Sequence, residues 1–258
     1  IGAGSQNPSA LGVGCSVDRR EITTGVPPQT RLEIRCANGP VSFCSAAACT
    51  NTSGPVWMPD RSSVRFLRRE GWADTIMATY EWKPATQTVR KLFETSDFLI
   101  DCQPLRKTHL ACLRETSVTS RRLVVIDTDT GTMTTIVDPN PEFERLTLGR
   151  VERIPLKSDA GLEAFGDVVF PEGYRAGHRY PAVVVQYQSR GFLRGGTGDE
   201  FPIQAFANRG FAVLSVQRPQ PVGARARPRD YVEVDRIGLQ DFADRRSVLS
   251  VVENGVRT

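Results

Sequence analysis

Three β-hairpin signals recur at a nearly fixed interval in the first half of the chain, and this spacing limits the possible folds most strongly. Each signal consists of two runs with strand-like alternation around a short turn. The runs are residues 31–36 and 41–43 around Asn38-Gly39, 79–82 and 89–92 around Pro84-Ala85-Thr86, and 123–126 and 134–137 around Asp129-Thr130-Gly131. Successive turns lie 46 and 45 residues apart. A period of about 40–50 residues with several short strands per unit is typical of β-propeller blades.

The same spacing also fits a β-sandwich whose hairpins are regular by coincidence. On the propeller interpretation, residues 1–141 form two to three of the last blades. Because propellers typically close with about four to eight blades, the missing blades are expected before Ile1. The N-terminus has no Met and no visible targeting signal. We therefore expect the chain to be a fragment of a larger protein, or one already trimmed.

The pattern changes from all-β to alternating strand and helix in residues 142–258. Strands are predicted at 151–156, 167–170, 181–187 and 211–216, and helices at 201–208 and 236–254. The aliphatic run 181–187 is typical of a strand covered on both faces. The second helix is predicted to bury one stripe, which consists of Ile237, Phe242, Val248, Leu249 and Val252. This order favours a mostly parallel sheet, either the first part of an α/β-hydrolase domain or another α/β domain.

Several segments resemble the prolyl oligopeptidase (S9) serine peptidases. WMPDRSSVRF (57–66) is similar to the W-S-P-D-G-x-x-I-x-F start of blades in TolB-like and prolyl oligopeptidase propellers, with Met58 and Arg61 in place of Ser and Gly. YPAVVVQYQSRGF (180–192) and RGFAVLSVQRP (209–219) resemble the entry to the α/β-hydrolase domain of that family. QYQSRGF, QRPQ and FLRGGTGDEFPIQAFANRG (192–210) are most similar to the lasso peptide isopeptidase branch.

This resemblance implies a role for Tyr187, which matches a family tyrosine whose hydroxyl stabilises the oxyanion of the tetrahedral intermediate. The alternative is a tyrosine that only packs at a strand end. The other candidates, all for substrate binding, are Ser189, Arg190, Arg194 and Arg218. Arg218 also matches the arginine of the family's N-x-R-G motif, which favours a structural role for it.

No G-x-S-x-G nucleophile motif occurs in the chain, and Ser189 lacks that context. His109 lies in the propeller segment and His178 in a turn, so neither is a candidate for the triad. We expect the serine, acid and histidine beyond Thr258, and we expect residues 1–258 alone to be inactive.

Three functions are compatible with the sequence. The first is a serine hydrolase that opens the ring of a lasso peptide by cleaving its isopeptide bond through an acyl-enzyme. The second is a general S9 dipeptidyl or acylaminoacyl peptidase, and the third is a non-catalytic propeller that binds a partner. The expected partners are a peptide substrate and the rest of the same enzyme chain, with no cofactor.

The net charge and the distribution of charged residues limit the classes of partner that the chain is expected to bind. The net charge of +4 is too small to indicate nucleic acid, and no apolar run is long enough for a membrane span. The arginines at 218, 225, 227 and 229 form either a solvated loop or a site for acidic groups. Only four of the 33 cations are Lys, which we interpret as the mark of a GC-rich bacterial genome.

The six cysteines lie in the first half without a C-x-x-C motif, and with two scattered histidines they predict no metal site. They are compatible with disulfides, Cys102 and Cys112 being plausible hairpin partners, or with buried thiols. This content favours the periplasm slightly over the cytosol.

Overall fold

The computed structural model describes residues 14–37, 39–192, 202–226 and 228–258. These residues form four sheets and three α-helices. The strands are β1 (Cys15–Glu21), β2 (Thr30–Cys36), β3 (Ser42–Phe43), β4 (Val56–Trp57), β5 (Val64–Glu70), β6 (Ile76–Lys83), β7 (Thr88–Thr95), β8 (Phe98–Arg106), β9 (His109–Thr116), β10 (Thr119–Asp127), β11 (Met133–Val137), β12 (Val151–Lys157), β13 (Glu163–Val169), β14 (Ala182–Tyr187) and β15 (Ala212–Gln217). The helices are α1 (Ile203–Ala207), α2 (Tyr231–Leu239) and α3 (Ala243–Arg257). None of these helices is long and apolar enough to cross a membrane.

The first eleven strands form three consecutive antiparallel sheets, β1–β3, β4–β7 and β8–β11, in which strands adjacent in sequence are also paired. All three hairpins expected from the sequence are present. Strand β2 pairs with β3, β6 with β7 and β10 with β11. The turn residue Asn38 lies outside the described residues.

The middle sheet is buried on both faces. Phe66 and Trp82 pack with the first sheet, in a cluster that includes Leu32. Leu67 packs on the opposite side, in a cluster shared with Leu110 of the third sheet. Because successive side chains of a strand point to opposite faces, the run Val64-Arg65-Phe66-Leu67 supplies both cores.

The six cysteines form three disulfides, Cys15–Cys36, Cys44–Cys49 and Cys102–Cys112. The first joins directly opposite residues of β1 and β2. The third joins β8 to β9, as the hairpin interpretation of Cys102 and Cys112 predicted. The alternative of buried free thiols is therefore wrong for this structure.

The fourth sheet has the order β12-β13-β15-β14, and only its β14–β15 pair is parallel. The expectation of a mostly parallel sheet is wrong for the described residues. Strands β12 and β13 are joined by a short turn closed by Ser158 and Leu162, and such a hairpin forces an antiparallel pair. The parallel pair arises where the connection passes through α1.

Helices α1 and α3 pack on opposite faces of the fourth sheet, α1 around Val185 and Val213, and α3 around Leu214 and Val216. Strand β14 lies at the edge of this sheet, and α3 packs over β12 and β15 instead. Val184 is consequently 41% exposed, so one face of this strand is not covered by the described residues.

The single helix predicted for 236–254 is two helices. Asp230 caps the first by accepting a hydrogen bond from the Glu233 N–H at 2.8 Å. The chain then turns sharply where Asp241 and Phe242 have φ of 50° and 57°, in the left-handed region. The predicted stripe is partly wrong, because Leu249 is exposed while the buried face of α3 contains Ser247, Ser250 and Val251.

Candidate functional site

A cleft lies between the second and third sheets on one side and the fourth sheet on the other. It encloses about 200 Å³. Its charged and aromatic lining consists of Arg69, Asp74, Asp97, Phe98, Glu115, Arg153, Phe165, Asp167 and Arg190. Both halves of the chain therefore contribute to one concave surface, which is where ligand sites are commonly found.

Direct hydrogen bonds hold the two walls together. The Trp72 indole N–H donates to the Ala164 carbonyl at 2.6 Å, and the Ala73 N–H donates to Glu163 Oε2 at 2.8 Å. Both donors belong to the short turn between β5 and β6, and both acceptors belong to β13. These contacts fix the width of the cleft at its β13 side.

Tyr187 is the last residue of β14 and lies opposite Gln217, the last residue of the parallel strand β15. In α/β sheets, ligands bind at the carboxyl ends of parallel strands. The side chain is 39% exposed, and its hydroxyl makes no hydrogen bond to a described residue. The Arg218 guanidinium carbon lies 4.7 Å from the ring centroid, a cation–π distance. The Arg218 guanidinium thus contacts one face of the partly exposed Tyr187 ring.

Ser189 is almost completely buried, with 1% exposure. Its hydroxyl donates to Asp167 Oδ2 at 2.6 Å, and its N–H donates to Gln217 Oε1 at 3.1 Å. Asp167 also accepts two hydrogen bonds from Arg153, at 2.8 and 2.9 Å. The Ser189 hydroxyl is therefore engaged with a carboxylate that already has a bidentate arginine partner, which anchors the loop after β14.

Gly191 and Phe192 of the same loop dock on the third sheet. Glu115 Oε2 accepts the Phe192 N–H at 3.0 Å, and its Oε1 accepts Arg121 Nε at 2.7 Å. Gly191 has φ of 68°, and a Cβ at this position would collide with Glu115 Oε2. Only a residue without a side chain fits here without displacing the loop or the carboxylate. Sequence reasoning missed Glu115 because its partner Phe192 lies 77 residues later.

Arg190 lines the cleft together with its neighbour Gly191. Burial lowers the pKa of its guanidinium, the nearby cations Arg69 and Arg153 lower it further, and Asp74 opposes them. Burial also lowers the pKa of Arg69, again opposed by Asp74. The Arg69 guanidinium carbon lies 5.0 Å from the Phe98 ring centroid. Arg69 was not singled out in the sequence, where it follows another arginine at the end of a strand.

The other described arginines that the sequence singled out, Arg218, Arg225 and Arg229, are not among the residues that line the cleft. Arg218 stacks on Tyr187, and its N–H donates to the Tyr187 carbonyl at 3.1 Å. Arg225 donates to the carbonyls of Ala160 and Gly161, at 2.8 and 3.1 Å. Arg229 is exposed beside Glu233. Arg194 and Arg227 lie outside the described residues.

Each of the two histidines makes a polar contact with a residue close to it in sequence. His109 Nδ1 is 3.0 Å from the Thr108 hydroxyl at the start of β9, and the His178 N–H donates to the Arg175 carbonyl in the turn before β14. Among the described residues, no group of three or more His, Cys, Asp or Glu side chains has a metal-binding arrangement.

No family model matches the sequence. One curated relative, the lasso peptide isopeptidase AtxE2 of Asticcacaulis excentricus, is 36% identical over 240 residues, which cover 93% of this chain and 34% of the relative. The chain thus spans about a third of that protein's length.

Solved structures show the same relationship. A variant of the AtxE2 isopeptidase with Astexin3-dC4 bound matches with a TM-score of 0.88 and 33% identity, over 98% of this chain and 39% of the other. The acylaminoacyl peptidase of Pyrococcus horikoshii matches with a TM-score of 0.54 and 20% identity, over 88% of this chain and 34% of the other, which shows a shared fold.

The resemblance to lasso peptide isopeptidases inferred from the sequence is thereby confirmed: over 93% of its length, this chain is homologous to about a third of the lasso peptide isopeptidase AtxE2.

Proposed function

We propose that the full-length protein carrying this segment is a serine hydrolase that cleaves the isopeptide bond of a lasso peptide and so opens its ring. The observation that carries the proposal is the 36% identity to the AtxE2 isopeptidase across 93% of the chain. The match to a structure of that protein with Astexin3-dC4 bound, at a TM-score of 0.88, supports the same substrate class.

The arrangement of the sheets supports the proposed domain division. Residues 1–141 are the last two to three blades of a β-propeller, which the repeated antiparallel sheets β4–β7 and β8–β11 support. Residues 142–258 are the first part of an α/β-hydrolase domain, which the parallel pair β14–β15 with its α1 crossover supports. On this division the cleft lies between the two domains, where a peptide substrate is accessible to both.

Tyr187 is proposed to donate its hydroxyl hydrogen to the developing oxyanion during acyl transfer. Its position at the carboxyl end of β14 and a hydroxyl without a hydrogen-bond partner among the described residues support this role. Arg218 is proposed to position the ring by stacking on it.

The nucleophile, its histidine and the acid are proposed to lie outside residues 1–258. Ser189 is an unsuitable nucleophile because its buried hydroxyl donates to Asp167 and no histidine among the described residues contacts it. We propose that Ser189 contributes to substrate binding through its backbone position in the loop after β14, and that Arg190 and Arg194 also contact the substrate.

The substrate specificity of the full-length protein tests the proposal. The protein is incubated with a threaded lasso peptide, with the same peptide unthreaded, and with a linear Pro-containing peptide. A mass gain of one water from the threaded form only supports isopeptide hydrolysis. Cleavage of the linear peptide with comparable or higher kcat/KM supports a general S9 peptidase, and binding without turnover supports a non-catalytic module.

A further inference from the structure

The cleft contains two arginine side chains whose charge is not neutralised by direct contact. Among the described residues, neither the Arg69 nor the Arg190 guanidinium forms a hydrogen bond or an ion pair. Both are partly buried at the cleft surface. A guanidinium removed from water normally acquires a carboxylate or carbonyl partner, because burying an unpaired charge is costly.

The acids in the cleft are already engaged, with one exception. Asp97 pairs with Arg114 at 2.6 Å, and Asp167 pairs with Arg153 at 2.8 Å. Glu115 holds Arg121 and the Phe192 N–H. The exposed carboxylate of Asp74 is close enough to act electrostatically on both Arg69 and Arg190. Counted over the described residues that line the cleft, one positive charge therefore remains for a ligand with a single negative charge.

The surroundings of the two guanidinia fit a carboxylate attached to a peptide. Phe98 and Phe165 supply apolar lining, and Arg69 lies over the face of Phe98 at 5.0 Å. An arginine fork offers two parallel N–H donors that match the two oxygens of a carboxylate. The volume of about 200 Å³ accommodates a carboxylate-bearing side chain or a chain end rather than a folded segment.

We propose that Arg69 and Arg190 together bind one carboxylate of the peptide substrate. The inference rests on the proposed function and adds a specificity determinant to it. Arg190 follows Tyr187 by three residues, so their Cα atoms are at most about 10 Å apart. The bound carboxylate accordingly lies within a few substrate residues of the bond whose cleavage Tyr187 is proposed to assist. The carboxylate also bridges the two proposed domains, because Arg69 is on β5 and Arg190 follows β14.

Two kinds of carboxylate meet this description, the C-terminus of the peptide and the side chain of an Asp or Glu outside the isopeptide linkage. The substrate set therefore contains the threaded peptide, its C-terminal amide, and versions in which each free Asp or Glu is replaced by Asn or Gln. The substrate whose binding weakens identifies the carboxylate that the cleft recognises.

The experiment measures kcat and KM of the full-length protein and of Arg69→Gln and Arg190→Gln. We expect KM for the native peptide to rise about tenfold or more in each variant, since a hydrogen bond to a charged group contributes about that factor to affinity. Arg69→Lys and Arg190→Lys retain the charge without the fork, and should give smaller increases. Arg236→Gln is the matched control, because Arg236 is 67% exposed on α2 and pairs with Glu233 outside the cleft.

The decisive comparison is between charged and neutralised substrates. Neutralising the recognised carboxylate should raise KM for the wild-type protein and have no further effect in Arg69→Gln. Equal KM increases for charged and neutralised substrates in the variants would overturn the inference. So would a wild-type KM unaffected by every neutralisation, a result that needs no variant to fold.

These results separate the inference from the proposed function. If the wild-type protein opens the threaded peptide and the Arg69→Gln and Arg190→Gln variants have the same KM as the wild type, the carboxylate site is contradicted. The isopeptidase proposal is not contradicted by that result. If the wild-type protein cleaves only linear peptides, the isopeptidase proposal is contradicted. The carboxylate site can then still be tested by comparing KM for a linear peptide with a free carboxylate and for the same peptide with that carboxylate replaced by an amide.

Discussion

The side-chain carboxylate of Glu115 accepts the main-chain N–H of Phe192 at 3.0 Å, although the two residues are 77 positions apart. Glu115 belongs to β9 of the third sheet, and Phe192 is the fifth residue after Tyr187, the last residue of β14. With a side chain only 3% exposed, the carboxylate sits in an environment where such a charge-assisted bond is strong. The loop bearing Arg190 is consequently positioned by the first half of the chain as well as by its own sheet.

Replacing Glu115 by Ala should loosen this loop in the full-length protein. The Phe192 N–H loses its acceptor, and a buried unpaired donor costs about 1–3 kcal/mol. Amide hydrogen exchange in peptides covering residues 186–192 should therefore accelerate roughly tenfold or more, because exchange reports local opening. Glu152→Ala is the control, since Glu152 is 57% exposed in a surface pair with Arg150. Unchanged exchange in the loop would contradict the anchoring role of Glu115.

Replacing Gly191 by Ala should lower kcat/KM by about tenfold or more. The new Cβ collides with Glu115 Oε2, so the loop must shift, and displacing catalytic groups by about 1 Å is costly to the reaction rate. Gly177→Ala is a matched control, because Gly177 also has a positive φ, 83°, but no atom lies within 4 Å of its added Cβ. We expect this control to retain kcat/KM within about twofold while carrying a similar backbone strain. Equal losses of kcat/KM in Gly191→Ala and Gly177→Ala would mean that backbone strain, rather than the collision with Glu115, causes the loss.

The hairpins of the first half were predictable because their signals are local. The turn and both strands of the β6–β7 pair occupy a single run, residues 76–95, and alternation within it sets which side chains face the core. The mixed direction of the fourth sheet was not predictable in this way. It depends on the short turn between β12 and β13, which alternation of strand and helix does not reveal.

The cleft was predictable only in part, since most of its contacts join distant segments. Tyr187 and Arg190 lie in a motif that can be recognised from neighbouring residues. Arg69 and Glu115 have no local signal, because their roles come from packing of one half of the chain against the other. The sequence did not predict the break between α2 and α3, for a related reason. The apolar spacing continues across Asp241, although the backbone there is left-handed, with φ of 50°.

Replacing Tyr187 by Phe in the full-length protein should lower kcat about a hundredfold with little change in KM. Such a split is expected when a hydrogen bond forms only in the transition state. Protein stability should be nearly unchanged, because the Tyr187 hydroxyl has no partner among the described residues and the ring keeps its contact with Arg218. Steady-state kinetics and thermal melting measure the two effects. Loss of stability with normal turnover would instead mark Tyr187 as a packing residue.

Replacing Ser189 by Ala should leave the full-length protein reactive toward a fluorophosphonate probe, which labels activated serine nucleophiles. Ser189 is 1% exposed and its hydroxyl donates to Asp167 at 2.6 Å, so neither access nor an adjacent histidine activates it. For the same reason, a polypeptide of residues 1–258 should not be labelled. Mass spectrometry of the labelled full-length protein locates the modified serine, with heat-denatured protein as the negative control. A label on Ser189, or loss of labelling in Ser189→Ala with the fold intact, would place the nucleophile in this segment and overturn the division of roles between the cleft and the triad.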